Sequence, residues 1–170
     1  MRLFAGIALP PEAAAPLLAQ VDRWRPLGDI AWTSEEKLHI TTKFIGEWPE
    51  SRLDELQQAL AGVRVTEPVD IRIQGFGWMA SALYAGAEMP LELARVTEDS
   101  LRSLGIPKET RAYRPHVTLG RARRKASVED LRREAARSEL RLAPFRATAF
   151  HLYLSANGTY TRLRSYPLPS

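Results

Sequence analysis

A chain of 170 residues, with 45 % hydrophobic and 26 % charged residues, has the length and composition of a globular protein with one large domain or two small lobes. No apolar run approaches the roughly 18 residues that a membrane span needs. The absence of cysteine excludes disulfides, thiolate metal sites and thiol nucleophiles. These features favour a cytoplasmic protein without a membrane anchor, and since nothing in the sequence indicates an oligomer we expect a monomer.

The apolar N-terminus predicts a buried strand followed by a helix rather than a secretion signal. It carries a single basic residue, and Pro10 and Pro11 interrupt its apolar run. Because proline is tolerated in the first turn of a helix, we expect a strand over 2–9 and a helix that starts near the prolines.

The rest of the chain alternates between helix-like and strand-like stretches. Apolar side chains recur at helical spacing over 11–25, 49–63, 90–104 and 127–138. Strand-like stretches cover 2–9, 30–33, 37–45, 69–79, 82–88, the segment around His116, 145–155 and 159–168, with turns near 80–81 and 156–158. Mixed elements in this order predict an α+β fold with mainly antiparallel sheet.

The net charge of +4 is unevenly distributed along the chain. Residues 121–146 hold nine Lys or Arg against four Asp or Glu, whereas the remainder is close to neutral. A local basic surplus favours a polyanionic partner such as nucleic acid, but arginines on the solvent face of a helix produce the same pattern. Charge alone therefore leaves both interpretations open.

One order of elements occurs twice: a helix, a strand with a His-x-Thr motif, a second helix and a β-hairpin. The first copy contains "LHITTKF" and the second contains "HVTLGR". Either motif alone is more often a strand histidine held by a neighbour. Two copies at matching places favour an internal duplication with a shared site.

Side chains in a strand alternate between two faces, which predicts a polar and an apolar face for the first motif. His39, Thr41 and Lys43 fall on the polar face. Phe44 falls on the apolar face, where we expect it in the core, with base stacking as the alternative.

The second motif follows the same pattern. His116 and Thr118 share one face, and Arg121 is expected on the opposite one. If the two halves pack symmetrically, two imidazoles and two hydroxyls converge in one cleft.

Two imidazoles suit phosphate chemistry without a metal. Histidine titrates near neutrality, so one neutral and one protonated ring can act as base and acid. Threonine hydroxyls and nearby Arg or Lys donors can hold the non-bridging oxygens. A metal site is disfavoured because His-x-Thr lacks a second strong ligand and no Asp or Glu lies within a few residues of His116.

Several stretches resemble a known family. "RLFAGIALP", "HITTKFIG", "RPHVTLGR" and "LSANGTYTRLRSYPL" are similar to the two-histidine (HxTx) phosphoesterase superfamily, and within it to the bacterial and archaeal RNA 2′,3′-cyclic phosphodiesterases, formerly called 2′–5′ RNA ligases. The similarity spans nearly the whole chain. It implies a single phosphoesterase domain over 1–170, an α+β fold of two pseudo-symmetric, mainly antiparallel lobes with outer helices and a central cleft.

The resemblance also implies an activity: hydrolysis of 2′,3′-cyclic phosphate at RNA ends to a 2′-phosphomonoester, without a metal or other cofactor. It leaves open a second, reversible reaction, 2′–5′ RNA ligation. His39 would be the general acid towards the leaving 3′ oxygen, and His116 would be the general base that activates water. Thr41 and Thr118 would bind the phosphate. The implied partners are RNA ends or small cyclic nucleotides.

Other residues have weaker functional assignments. Arg114 and Arg121 flank the second motif, and either could reach the phosphate. Tyr160 is expected to pair across strands, with base stacking as the alternative. His151 is expected to be structural.

The residues leave two alternatives to this activity open. One is a related phosphoesterase that acts on cyclic mononucleotides or 2′–5′ linkages. The other is a module that binds nucleotide or RNA without turning it over, although such a module would not need both acid–base partners.

Overall fold

The computed structural model describes all residues, 1–170, and confirms the α+β fold. Four α-helices cover Pro11–Trp24 (α1), Leu53–Ala61 (α2), Glu92–Arg102 (α3) and Glu129–Arg137 (α4). Nine strands cover Arg2–Ala8 (β1), Ile30–Trp32 (β2), His39–Glu47 (β3), Val69–Met79 (β4), Ala82–Glu88 (β5), His116–Ala122 (β6), Phe145–Ala147 (β7), Ala149–Ala156 (β8) and Thr159–Pro167 (β9). All four predicted helices are present: α1 ends one residue earlier than expected, and the other three are shorter at both ends.

Each helix buries one apolar stripe against the sheet. In α1, Leu17, Val21 and Trp24 lie one turn apart and are almost fully buried. In α3, Leu93 and Leu101 lie about two turns apart on one face and are fully buried. Fully burying one such side chain stabilises the fold by about 1.5–3 kcal/mol. None of the helices is long and apolar enough to cross a membrane.

The strands form one curled sheet in the order β7-β4-β5-β6-β3-β1-β8-β9, and β2 also pairs with β6. We call β3, β1, β8 and β9 the His39 half, and β6, β5, β4 and β7 the His116 half. The prediction of one strand over 145–155 is wrong, because Thr148 separates β7, which pairs with β4, from β8, which pairs with β1. Strands β7 and β8 lie near opposite ends of the strand order but are only one residue apart in sequence, so the two ends of the sheet must lie close together. The sheet is therefore curled.

The duplicated order of helix, motif strand, helix and hairpin is present in the structure, with β2 and β7 as short additional strands. It occurs as α1-β3-α2 followed by the β4–β5 hairpin, and as α3-β6-α4 followed by the β8–β9 hairpin. With the strand that precedes each first helix, the two units are β1-α1-β3-α2-β4 and β5-α3-β6-α4-β8. The last strand of each unit pairs with the first strand of the other unit. This exchange brings the motif strands β3 and β6 side by side at the centre of the sheet.

Candidate active site

The two motif strands meet at one register pair, Ile40 opposite Val117. Both side chains are fully buried, so the residues on either side of them point to the other face of the sheet. These neighbours are the four predicted site residues, His39, Thr41, His116 and Thr118. Because the strands are antiparallel, the histidine of each motif lies towards the threonine of the other.

The same local contact orients each imidazole. Nδ1 of His39 lies 2.6 Å from the carbonyl oxygen of Lys37, and Nδ1 of His116 lies 2.7 Å from that of Arg114. A carbonyl oxygen only accepts hydrogen bonds, so both Nδ1 atoms donate. Each Nε2 is therefore the atom that can exchange a proton with a substrate. Arg114 thus serves the site through its backbone, while its side chain is exposed.

Aromatic side chains surround His39. Its ring lies 4.8 Å from the ring of Phe4, 5.3 Å from that of Tyr160 and 6.2 Å from that of Tyr153, measured between centroids. Its Nε2 is 2.9 Å from Oγ1 of Thr41. The sequence expectation that Tyr160 pairs across strands was incomplete, because this side chain also covers the His39 ring and remains 37 % exposed.

Gly6 permits this packing. It lies opposite Thr41 on β1, and a Cβ there would come within 2.9 Å of the carbonyl oxygen of Ile40 and 3.4 Å of the His39 ring. Any larger residue would therefore push against the motif strand.

Burial lowers the pKa of His39 below that of an ordinary imidazole. The hydrogen bond to the carbonyl of Lys37 opposes this shift, and the charge of His116 adds to it. The two rings lie on the same face beside the single register pair of β3 and β6. His39 therefore gives up its proton more readily than a free histidine does.

His116 has a more open setting. Its ring contacts that of Tyr84, edge to face at 5.4 Å, and its Nε2 has no hydrogen-bond partner in the protein. Tyr84 lies opposite Thr118 on β5 and leans over Gly77, where a Cβ would meet the tyrosine oxygen at 2.5 Å. No pattern in the sequence points to Tyr84, because its place beside the motif depends on the pairing of β5 with β6.

A β-bulge in β3 overturns two predictions. The pairing with β1 skips Thr42, which shifts the alternation by one residue. Lys43, predicted beside His39, is buried on the opposite face. Phe44, predicted in the core, lies opposite Phe4 on the His39 face and is 62 % exposed.

A second bulge overturns a third prediction. The pairing of β6 with β5 skips Leu119, so Arg121 lies opposite Ala82, two residues from Tyr84 on the same face. Arg121 was expected on the face opposite His116, but it shares the face of His116. The two bulges are equivalent: each follows the threonine of a motif and turns the third residue after that threonine towards the site.

Ion pairs divide the basic residues into two groups. Several arginines on or beside the outer helices pair with a carboxylate three or four residues away, for example Arg52 with Glu55 and Arg133 with Asp130. Within the basic segment 121–146, four arginines are paired in this or a similar way: Arg123, Arg133, Arg137 and Arg146. None of the ion pairs includes these four basic residues of β6 and its flanks: Arg114, Arg121, Arg124 and Lys125. Part of the positive charge that has no carboxylate partner thus lies next to the second motif.

His151 lies on the His39 face but has a structural setting. It is buried, and its Nδ1 is 2.8 Å from Oγ of Ser165. Burial and the charge of Arg162 lower the pKa of His151 to about 4, so the ring is neutral at neutral pH. No group of three or more His, Asp or Glu side chains gathers in the protein where it could hold a metal ion.

Comparison with known proteins settles the family. Residues 9–159, which include both motifs, match the 2′–5′ RNA ligase superfamily. The chain belongs to this superfamily. The resemblance inferred from the sequence is therefore confirmed.

Two curated relatives illustrate the similarity within the 2′–5′ RNA ligase superfamily. The RNA 2′,3′-cyclic phosphodiesterase of Thermus thermophilus is 32 % identical over 140 residues, which cover 74 % of this chain and 70 % of the relative. The protein of the same name from Methanocaldococcus jannaschii is 29 % identical over 130 residues, which cover 72 % of each chain.

Solved structures share the fold. TT0787 of Thermus thermophilus superposes with a TM-score of 0.79 at 26 % identity, covering 98 % of this chain and 97 % of that one. E. coli LigT, solved in complex with 3′-AMP, superposes with a TM-score of 0.78 at 22 % identity, covering 99 % and 98 %. The curled sheet with four helices is thus shared with both solved proteins.

Proposed function

We propose that this protein hydrolyses 2′,3′-cyclic phosphate ends of RNA to 2′-phosphomonoesters, with His39 and His116 as a metal-independent acid–base pair. One observation carries the proposal: both His-x-Thr motifs flank the same register pair, so two imidazoles with matching orientation face one side of the sheet. The names of the curated relatives, RNA 2′,3′-cyclic phosphodiesterase, support the same reaction.

The proposed reaction consumes one water and breaks one P–O bond. His116 Nε2 takes a proton from water while the water oxygen bonds to phosphorus. His39 Nε2 gives a proton to the 3′ oxygen while the bond from that oxygen to phosphorus breaks. The products are a 2′-phosphate and a 3′-hydroxyl, and solvent exchange restores the two rings. Each acid or base role is worth about 10²–10⁴ in rate.

The lowered pKa of His39 is compatible with the acid role. It makes the imidazolium a stronger acid but reduces the protonated fraction in the free protein. The negative charge of a bound phosphodiester favours the protonated ring and opposes the effect of burial. We therefore expect kcat/KM to fall as pH rises through the lowered pKa of His39.

Other groups on this face would bind the substrate. The hydroxyls of Thr41 and Thr118 donate hydrogen bonds to the non-bridging phosphate oxygens. Thr41 Oγ1 is hydrogen-bonded to His39 Nε2 in the free protein, and a hydrogen bond to phosphate replaces this one when substrate binds. Arg121 adds positive charge on the same face. The exposed ring of Phe44 offers a stacking surface for a base, which favours a nucleotide substrate over a simple phosphodiester.

The test is hydrolysis of an oligoribonucleotide with a 2′,3′-cyclic phosphate end, in EDTA. We expect turnover by the wild type to the 2′-phosphate, and loss of at least about a hundredfold in kcat for either His39→Ala or His116→Ala. His151→Gln is the matched control, because it removes a buried histidine of the same face whose Nδ1 is hydrogen-bonded to Ser165.

Each other outcome points to one alternative. Tight nucleotide binding without turnover would indicate a binding module. Turnover restricted to cyclic mononucleotides or 2′–5′ linkages would indicate a related phosphoesterase. Turnover that survives either alanine substitution, in a folded protein, would overturn the paired-histidine mechanism.

A further inference from the structure

Little direct strand pairing holds the two site histidines together. Strands β3 and β6 share one register pair, whereas β3 pairs with β1, and β6 with β5, over most of their lengths. A reaction that needs both imidazoles at one phosphate demands accurate placement, since an error of about 1 Å can cost about 10²-fold in rate. Contacts other than the pairing of β3 with β6 are therefore needed to set the distance and orientation of the two imidazoles.

The segment 103–115 is placed to supply such contacts. It connects α3 to β6 without regular secondary structure and leads directly into His116. The carbonyl oxygen of Arg114, near its end, accepts the hydrogen bond from Nδ1 of His116. Any displacement of this segment therefore turns the His116 ring.

Tyr113 attaches the end of this segment to the other motif. Its hydroxyl donates to the backbone carbonyl oxygen of Thr41 at 2.8 Å. Burial raises the pKa of Tyr113, so the hydroxyl keeps its proton and remains a donor. The side chain of Thr41 in turn contacts Nε2 of His39. Tyr113 thus links Thr41, which contacts the His39 ring, to the chain next to Arg114, whose carbonyl oxygen orients the His116 ring.

Lys43 contacts the middle of the segment from the face of the sheet opposite the site. The bulge after Thr41 turns Lys43 away from the site, and its side chain is only 2 % exposed. Nζ donates to the carbonyl oxygen of Pro107 at 2.9 Å and to Oε1 of Glu98 at 3.2 Å. Oε1 of Glu98 also accepts from the backbone N–H of Glu109 at 2.9 Å. Because a buried charge is costly unless it is paired and hydrogen-bonded, this arrangement fixes the segment against α3 and β3.

We propose that Tyr113 is a positioning residue, supported by the Lys43–Glu98 pair, that sets the distance and orientation between the His39 and His116 rings. Tyr113 acts through Thr41 and Arg114 and does not touch the substrate. The inference rests on the proposed function, because its consequence is measured as turnover of a cyclic phosphate.

The test compares Tyr113→Phe with Tyr166→Phe. Tyr166 is a matched control because its hydroxyl also donates to a backbone carbonyl oxygen, that of Gln57 at 3.4 Å, on the side of the sheet away from the site. We expect Tyr113→Phe to lower kcat on the cyclic phosphate about tenfold with KM within about twofold, since both imidazoles remain but their placement relaxes. We expect Tyr166→Phe to leave kcat unchanged.

A second readout does not depend on activity. In Tyr113→Phe, amides of residues 106–115 should exchange with deuterium faster than in the wild type, while amides of β1 and β8 should not change. If the wild type fails to hydrolyse the substrate, the proposed function fails, but this readout still tests whether Tyr113 holds the segment. Unchanged exchange together with unchanged kcat would overturn the inference, as would an equal loss of kcat in Tyr166→Phe.

The Lys43–Glu98 pair gives an independent check. The double variant Lys43→Met/Glu98→Gln removes both charges, so no unpaired buried charge remains. We expect a lower kcat with KM retained, as for Tyr113→Phe, at temperatures where the variant is folded. A folded double variant with wild-type kcat would remove Lys43 and Glu98 from the proposal.

Discussion

The two motif regions have the same backbone frame but different surroundings. In both, Nδ1 of the histidine donates to the carbonyl two residues before it, and a bulge follows the threonine. Around His39, however, Phe4, Tyr153 and Tyr160 form a close aromatic cover, whereas His116 contacts Tyr84 alone.

The difference shows which features of the site are local and which are not. The hydrogen bond from Nδ1 and the bulge after the threonine involve residues within a few positions of the histidine, so a repeated motif reproduces both. The cover over His39 comes from β1, β8 and β9, which are distant from the motif in sequence. Burial by this cover lowers the pKa of His39, so the repeated motif does not by itself set the acidity of its histidine.

The largest effect should come from separating the two proton-transfer roles. A phosphodiester that releases 4-nitrophenolate needs no proton on its leaving group. We therefore expect His39→Ala to lose about 10²–10⁴ in kcat on the cyclic phosphate but far less on the nitrophenyl diester, and His116→Ala to lose activity on both. Initial rates on the two substrates are the measurement. The opposite pattern would exchange the roles of the two histidines.

The next largest effects should come from Arg121 and Phe44, the two residues that the bulges turn towards the site, and the two effects should differ in kind. Arg121→Gln removes a charge from the phosphate side, and a hydrogen bond to a charged group contributes about 1.5–3 kcal/mol, so we expect kcat/KM to fall about ten- to a hundredfold on every substrate. Phe44→Leu keeps an apolar side chain but removes a ring, so we expect KM to rise severalfold on nucleotide substrates only. Steady-state kinetics on the cyclic phosphate and the nitrophenyl diester would show the contrast. Equal effects on both substrates would argue against stacking by Phe44.

The smallest effect should be a shift in pH dependence. Tyr160→Leu opens the cover over His39 to water, so the pKa of His39 should rise towards that of an ordinary imidazole, and the ring should stay protonated to higher pH. The fall of kcat/KM at the alkaline side should move in the same direction. An NMR titration of the His39 ring measures the pKa directly, with Tyr84→Leu as the control that leaves this cover intact. A pKa that stays in place in Tyr160→Leu would mean that Phe4 and Tyr153 alone account for the burial.

Much of the framework could be predicted from the sequence, because it depends on short-range pattern. Hydrophobic periodicity located all four helices and the hairpin of β4 and β5. The repeated His-x-Thr pattern located the four candidate site residues that the structure brings to one face, since alternation over three residues puts a histidine and the next threonine on the same side. It could not show that a bulge follows each motif, and so it misplaced Lys43, Phe44 and Arg121.

The sequence by itself determined the α+β class, the duplicated order and the pair of motifs, because these depend on residue spacing within one element. Only the tertiary structure decided which strands became neighbours, and therefore that Tyr84 lies beside His116 and that Tyr160 covers His39. It also decided that Tyr113 reaches the backbone of Thr41 across 72 residues of sequence. Such contacts depend on how distant strands pair, and strand pairing is a property of the whole sheet rather than of any one stretch of sequence.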